Sequence, residues 1–166
     1  MGFSGGCSCG AVRYTISAEP IRGFQCQCRD CQMDSGGGHS SVLVFSRATF
    51  EISGEVREIA RTSDRGATKR KGFCPNCGVS VYNKPDKSPE FIGIYVGSLD
   101  GAVSFKPAIV LYASRGHAWD FLDPDIPSCR SGIRTRNSNR AIRKKRPVRV
   151  KSAVLTAHRS LPVFPD

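Results

Sequence analysis

Seven of the eight cysteines in this 166-residue chain fall into three tight groups. They are Cys7 and Cys9 in "CSCG", Cys26, Cys28 and Cys31 in "CQCRDC", and Cys74 and Cys77 in "CPNCG". The opening stretch "MGFSGGCSCGAVRY" lacks the basic and apolar regions of a secretory signal. A cytoplasmic location is therefore expected. Thiols stay reduced there, so C-x-C and C-x-x-C spacings point to metal rather than to disulfides.

Zinc holds sulfur tetrahedrally at about 2.3 Å, which places the sulfurs under ~4 Å apart. A C-x-C pair on a strand meets this requirement because residues i and i+2 share a face. A C-x-x-C pair meets it through a tight turn, which Pro75 sets and Gly78 leaves. Cys7, Cys9, Cys74 and Cys77 together make a closed four-thiolate site. Cys9 and Cys74 are 65 residues apart, so such a site would clamp the N-terminal strand to a central hairpin.

Cys26, Cys28 and Cys31 supply only three thiolates, the pattern of a catalytic or ligand-exchanging zinc with an open position. A closed second site completed by Cys129, His39 or Asp34 is the alternative, and a metal-free cluster is another. Two zinc ions per chain are expected. Arg22 and Arg29 are near enough in sequence to offset the charge of the three thiolates, or are simply solvated. His39, His117 and His158 show no metal spacing with one another and read as structural or surface histidines. "DSGGGHSS" has no Lys-Ser/Thr ending, so it reads as a turn rather than a phosphate loop.

Residues 1–129 read as one antiparallel β domain. "AVRYTIS", "SVLVFSR", "TFEIS", "VREIART", "FIGIYVGSL" and "AIVLYAS" are rich in Val, Ile, Phe and Tyr and are punctuated by Gly, Pro, Asp and Ser. No sustained 3.6-residue apolar stripe appears. No apolar run approaches the roughly 20 residues that span a bilayer. The net charge of +11 looks like a nucleic-acid signal, but residues 1–129 are nearly neutral, with 14 basic and 13 acidic side chains. Residues 130–166 carry 11 basic and one acidic side chain, or +10. That tail is expected to be mostly mobile, with at most a short helix at "SAVLTAHRSL". It reads as an extension or, as its composition favours, as out-of-frame translation past a lesion.

The series "GGCSCGAVRY", "CQCRDCQMDSGG", "FCPNCGVSVY" and "VGSLD" resembles the glutathione-dependent formaldehyde-activating enzyme family, which includes the centromere-protein-V-like domains. The resemblance covers roughly residues 3–127. It implies a compact, mainly β, zinc-containing fold called a β-tent. It also implies structural zinc on Cys7, Cys9, Cys74 and Cys77, and catalytic zinc on Cys26, Cys28 and Cys31. The implied activity is carbon–sulfur lyase chemistry, the reversible joining of glutathione to formaldehyde. The chain departs from the family pattern where Cys129 and Arg130 replace the usual aromatic after "HAWDFLDPDIPS", and at two positions of the central motif. Gln27 stands where histidine is common, and Gln32 where a basic residue is common.

The function expected is addition of a small thiol to a small aldehyde at the three-cysteine zinc site, with Asp30, Asp34, His39 or water as the acid. The alternative is a non-catalytic zinc-stabilised module that holds thiols or, through its tail, binds polyanions weakly and salt-sensitively. No membrane partner is expected.

Overall fold

The computed structural model describes residues 2–63 and 66–132. Of the basic tail at 130–166, expected to be mostly mobile, all but the first three residues lie outside the described residues. What is described is mainly β, in two sheets. The smaller has the order β1-β2-β5, formed by β1 (Phe3–Gly6), β2 (Arg13–Ile16) and β5 (Phe50–Ser53). The larger has the order β10-β3-β4-β9-β8-β7-β6. Its strands are β3 (Arg22–Cys26), β4 (Ser40–Ser46), β6 (Arg57–Thr62), β7 (Thr68–Phe73), β8 (Ser80–Pro85), β9 (Phe91–Tyr95) and β10 (Val110–Leu111). No helix among the described residues is long and apolar enough to cross a membrane.

Alternation drives the packing. Leu43 and Phe45 of β4 and Ile92 and Ile94 of β9 lie in one core, while Val42 is buried on the opposite face of β4. Tyr14 and Ile16 of β2 close the same core from the small sheet. Two features depart from the sequence expectation. The antiparallel order is broken at one edge, where β10 pairs with β3 in parallel, Val110 opposite Gln25 and Leu111 opposite Cys26. A seven-residue helix, α1 (Arg29–Ser35), follows β3. It is too short to display a periodic stripe, and its buried residues are Cys31 and Gln32. Gly36 ends it in the left-handed region at φ 68°, with its N–H on Gln32 O. Within "DSGGGHSS" the chain turns at residues 36–39, between the end of α1 and the start of β4.

The two sheets meet at a bridge between Gly5 and Leu99. Close approach requires a glycine there, since a Cβ on Gly5 would lie 2.3 Å from both Ser98 O and Tyr14 Oη. The Tyr14 hydroxyl and Ser98 Oγ are 2.8 Å apart, and Ser98 Oγ donates to Tyr95 O at 2.8 Å. On the outside, Ser4 and Arg13 of the small sheet both bond Asp100, in the bend beyond β9. Gly5→Ala is expected to lower unfolding stability by about 1–3 kcal/mol through overpacking. Tyr14→Phe is expected to lower it by about 1 kcal/mol through loss of a buried hydrogen bond. Urea denaturation measures both.

Candidate active site

Each pair of the first cysteine group sits in a tight turn rather than on a strand. β1 ends at Gly6, and Cys7 and Cys9 lie in the turn beyond it. This corrects the expectation of a strand-borne C-x-C. The chain reverses there through Gly10, at φ 77°. Gly10 N–H donates to Cys7 O at 3.2 Å, and Val12 N–H donates to Cys7 Sγ at 3.2 Å. Cys74 and Cys77 occupy the β7–β8 connection in an equivalent turn, where Gly78 N–H donates to Cys74 O at 2.9 Å. Gly78 takes φ 73°. The four ligand atoms lie within 4.8 Å of one another. Cys7 and Cys9 sulfurs are 3.4 Å apart, and Cys9 and Cys74 sulfurs 3.8 Å apart. The Ser8 hydroxyl, with the Val79 and Cys9 amides, pushes the Cys77 thiol down to about 5. Donors aimed at sulfur favour the thiolate that a metal requires.

Cys26, Cys28 and Cys31 form a second group, also within 4.8 Å. Cys26 ends β3, Cys28 caps the start of α1, and Cys31 lies in its first turn. The β10 edge fixes the loop between them, with Gln27 N–H donating to Leu111 O at 2.9 Å. Cys26 and Cys31 are buried, whereas Cys28 is half-buried. Hydrogen bonding from the Cys26 and Cys31 thiols, with Lys69 adding to it, pushes the Cys28 thiol far down. Both groups therefore offer donor sets and spacings that fit a metal such as zinc.

The candidates for a fourth ligand stand elsewhere, and among the described residues none joins the three sulfurs. Asp34 is a buried partner of Lys71, at 2.8 Å, with its side chain only 2% exposed. The Nδ1–H of His39 donates to both oxygens of Asp120, at 2.8 and 3.0 Å. Its Nε2 lies 3.1 Å from the Gln25 side-chain amide. Cys129 sits outside β10 and bonds through its backbone, N–H to Val110 O and O from Ala113 N–H.

Positive charge reaches the three-cysteine group from a strand not singled out in the sequence. Arg22 and Arg29 are exposed, and Lys69 of β7 comes to 3.8 Å from Cys31 Sγ. Alternation puts Lys69 and Lys71 on one face of β7, and that face meets Cys31 and Asp34 one helical turn apart on α1. Burial works against the Lys69 ammonium, but the charges of Cys31, Cys28 and Asp34 outweigh it and raise its pKa.

The two departures from the motif are structural anchors. Gln27 and Gln32 are both buried. Gln32 Nε2 donates to Gln27 O at 3.0 Å and to Arg115 O at 2.9 Å. Gln27 Nε2 donates to Asp120 Oδ2 at 2.9 Å. Asp120 thereby pins the segment after β10 against both His39 and the cysteine loop, and Gly38 leaves room for its carboxylate. Spacing gave no sign of Asp120, since its partners are 81 and 93 residues away.

The fold and site define a small β domain carrying two metal-competent cysteine clusters, one of four thiols and one of three. The glutathione-dependent formaldehyde-activating enzyme model matches residues 2–115, and the chain belongs to that family. Three relatives are each provisionally named a glutathione-dependent formaldehyde-activating enzyme. The one from Halomonas elongata is 27% identical over 64% of this chain and 71% of its own length. The Penicillium rubens relative is 27% identical over 55% of this chain and 50% of its own length. The Sordaria macrospora relative is 25% identical over 51% of this chain and 35% of its own length. The chain thus spans half or less of the two fungal relatives. A crystal structure of a Rhodobacter sphaeroides protein superposes with a TM-score of 0.49 at 19% identity, covering 61% of this chain and 91% of that one.

Asp120→Ala leaves His39 Nδ1–H and the Gln27 amide without their acceptor. It is expected to cost about 1–3 kcal/mol and to free the segment locally. Trp119 is the chain's only tryptophan and stacks on His117 at 5.0 Å. Its fluorescence should report the loosening before global unfolding does.

Proposed function

We propose that the chain is a zinc-dependent carbon–sulfur lyase that reversibly joins a small thiol, glutathione or a close analogue, to a small aldehyde such as formaldehyde. One observation carries the reading: three converging cysteines, Cys26, Cys28 and Cys31, with no fourth ligand beside them among the described residues. Three protein ligands leave a tetrahedral ion one exchangeable position, as in catalytic zinc sites. Cys7, Cys9, Cys74 and Cys77 offer four and would close a structural site. The reading treats residues 1–129 as the zinc domain and gives residues 130–166 no part in the chemistry.

Bound zinc supplies the acidity that makes a coordinating thiol a thiolate at neutral pH. The chain's own residues supply position and charge. Cys26 and Cys31 form the buried base, so reactants approach past Cys28. Confinement there replaces a bimolecular search. As sulfur bonds to the carbonyl carbon, negative charge grows on the carbonyl oxygen, while Lys69, 3.8 Å from Cys31 Sγ, offsets the charge of the thiolates. The proton lost by the thiol ends on that oxygen, so the addition is balanced and its reverse releases the aldehyde. Of the acids considered, Asp30 lines the cleft at Cys28, whereas Asp34 and His39 are held by Lys71 and Asp120. Asp30 or water therefore carries that proton.

Two measurements test the reading. Zinc content in reducing buffer should be two per chain for the wild type. It should be one for Cys26→Ser/Cys28→Ser/Cys31→Ser, with the fold retained. Glutathione–formaldehyde exchange, followed by NMR, should exceed the rate in buffer plus free zinc and fall to that rate in the triple variant. Equal rates for wild type and free zinc would refute the enzyme and leave a zinc-stabilised thiol-binding module.

A further inference from the structure

The four sulfurs of the first cysteine group are not equivalent. Cys7 and Cys74 are buried, Cys77 is half-buried, and Cys9 is exposed. Their hydrogen-bond donors differ too. Val12 N–H donates to Cys7 Sγ at 3.2 Å. The Cys77 and Asn76 amides point at Cys74, and the Val79 and Cys9 amides with the Ser8 hydroxyl point at Cys77. Cys9 Sγ instead meets other sulfurs, Cys7 at 3.4 Å and Cys74 at 3.8 Å. We propose that Cys9 is an oxidation site: a small hydroperoxide reacts at its sulfur, and a Cys9–Cys74 disulfide takes over the clamp as the metal leaves. The inference rests on these four thiolates holding a metal and is independent of the reaction proposed for the other cluster.

Exposure and electron density both single out Cys9. Thiolate is the reactive form of cysteine, and oxidation follows thiolate character and access to solvent. Donors aimed at a ligand sulfur draw charge from it, so outer partners tune each ligand separately. Four thiolates on a divalent ion leave a net −2. Arg13, whose charge reaches Cys7, is engaged by Asp100. The three-cysteine group, by contrast, has the Lys69 ammonium 3.8 Å from Cys31 Sγ.

The step balances with hydrogen peroxide as oxidant. Cys9 sulfur attacks one peroxide oxygen, an S–O bond forms, the O–O bond breaks, and hydroxide leaves. Cys9 is then a sulfenic acid. Cys74 Sγ attacks the Cys9 sulfur, an S–S bond forms, the S–O bond breaks, and a second hydroxide leaves. The two sulfurs give up two electrons, the peroxide takes them, and two solvent protons complete two waters. Cys7 and Cys77 remain as thiolates, too few to close a tetrahedral site. Cys7 is the poorer resolving thiol, because only Ser8 separates it from Cys9 and disulfide geometry is demanding. Cys74 stands on the opposite turn, 65 residues away. A bond to it spans the same loop as the metal clamp, so β1 stays tied to the large sheet.

The zinc-loaded full chain, freed of reductant, provides the test. With limiting iodoacetamide, Cys9 should be alkylated roughly tenfold faster than Cys7, Cys74 or Cys77, the factor that one hydrogen bond to a charged group sets in rate. Equimolar hydrogen peroxide should release zinc to a chromogenic chelator, and peptide mapping should find Cys9 joined to Cys74. Ser8→Ala, at an exposed residue, should speed alkylation of Cys77 several-fold and leave Cys9 unchanged. Cys26→Ser/Cys28→Ser/Cys31→Ser removes the other cluster, so that the zinc released is the clamp's. Should that variant fail to fold, the wild-type peptide map still decides. Equal rates at the four cysteines, a faster reaction at another of them, or zinc release that leaves Cys9 alkylatable overturns the proposal. A disulfide from Cys9 to Cys7 overturns the transfer of the clamp to Cys74. No change at Cys77 in Ser8→Ala overturns hydrogen bonding as the cause of the selectivity. A chain that holds no zinc at these four cysteines overturns the metal reading and this inference together.

Discussion

The convergence of four sulfurs from two turns is the constraint on which the rest of the domain depends. Cys7 and Cys9 follow β1, the edge of the small sheet, and Cys74 and Cys77 join β7 to β8 within the large one. Strand β1 is four residues long and half glycine, a sequence with little side chain to pack and a high entropic cost of ordering. Its own pairing cannot hold it. Gly5 lets it approach Ser98 and Tyr14, and the cysteine turn beyond it fixes its far end against the large sheet. A metal that binds folded but not unfolded protein contributes its binding energy to folding. The ends of the small sheet are where that contribution falls.

Much of the fold was legible because the physics involved is local. Alternating Leu43 and Phe45 in β4, or Ile92 and Ile94 in β9, need only their neighbours to read as strand. The cysteine partition was legible for the same reason, since ligand spacing within six residues states its own geometry. Strand β7 was not, because "TKRKGF" looks like solvated surface. Its lysines are placed by Cys31 and Asp34, more than thirty residues earlier in the chain. Helix α1 escaped because seven residues cannot show a period. The parallel β3–β10 pair escaped because two residues carry no pattern.

The site shows how little of a metal centre lies in its ligands. Cys26, Cys28 and Cys31 come from a strand end, a helix cap and a helix turn, and each is steadied by something different. β10 holds the strand end and Ser40 Oγ donates to Cys31 O at 2.8 Å. Gln27 and Gln32 fasten the loop between strand and helix to Arg115 and Asp120. Outer partners of this kind orient ligands and shut out solvent. They could not be read from spacing, because each bond joins residues with no sequence relation.

Gln27 and Gln32 also change the charge of the centre. A basic residue at position 32 would bring its cation with the helix and bind it to the cluster permanently. The neutral amide instead spends its donors on two carbonyls, and the positive charge arrives from Lys69 on one side and Arg29 and Arg115 on the other. Lys69 is half-buried against Cys31, so it neutralises the thiolates themselves. Arg29 and Arg115 line the cavity at Cys28. The charge beside the sulfurs thus comes from β7, and the charge at the cavity from α1 and the turn after β10.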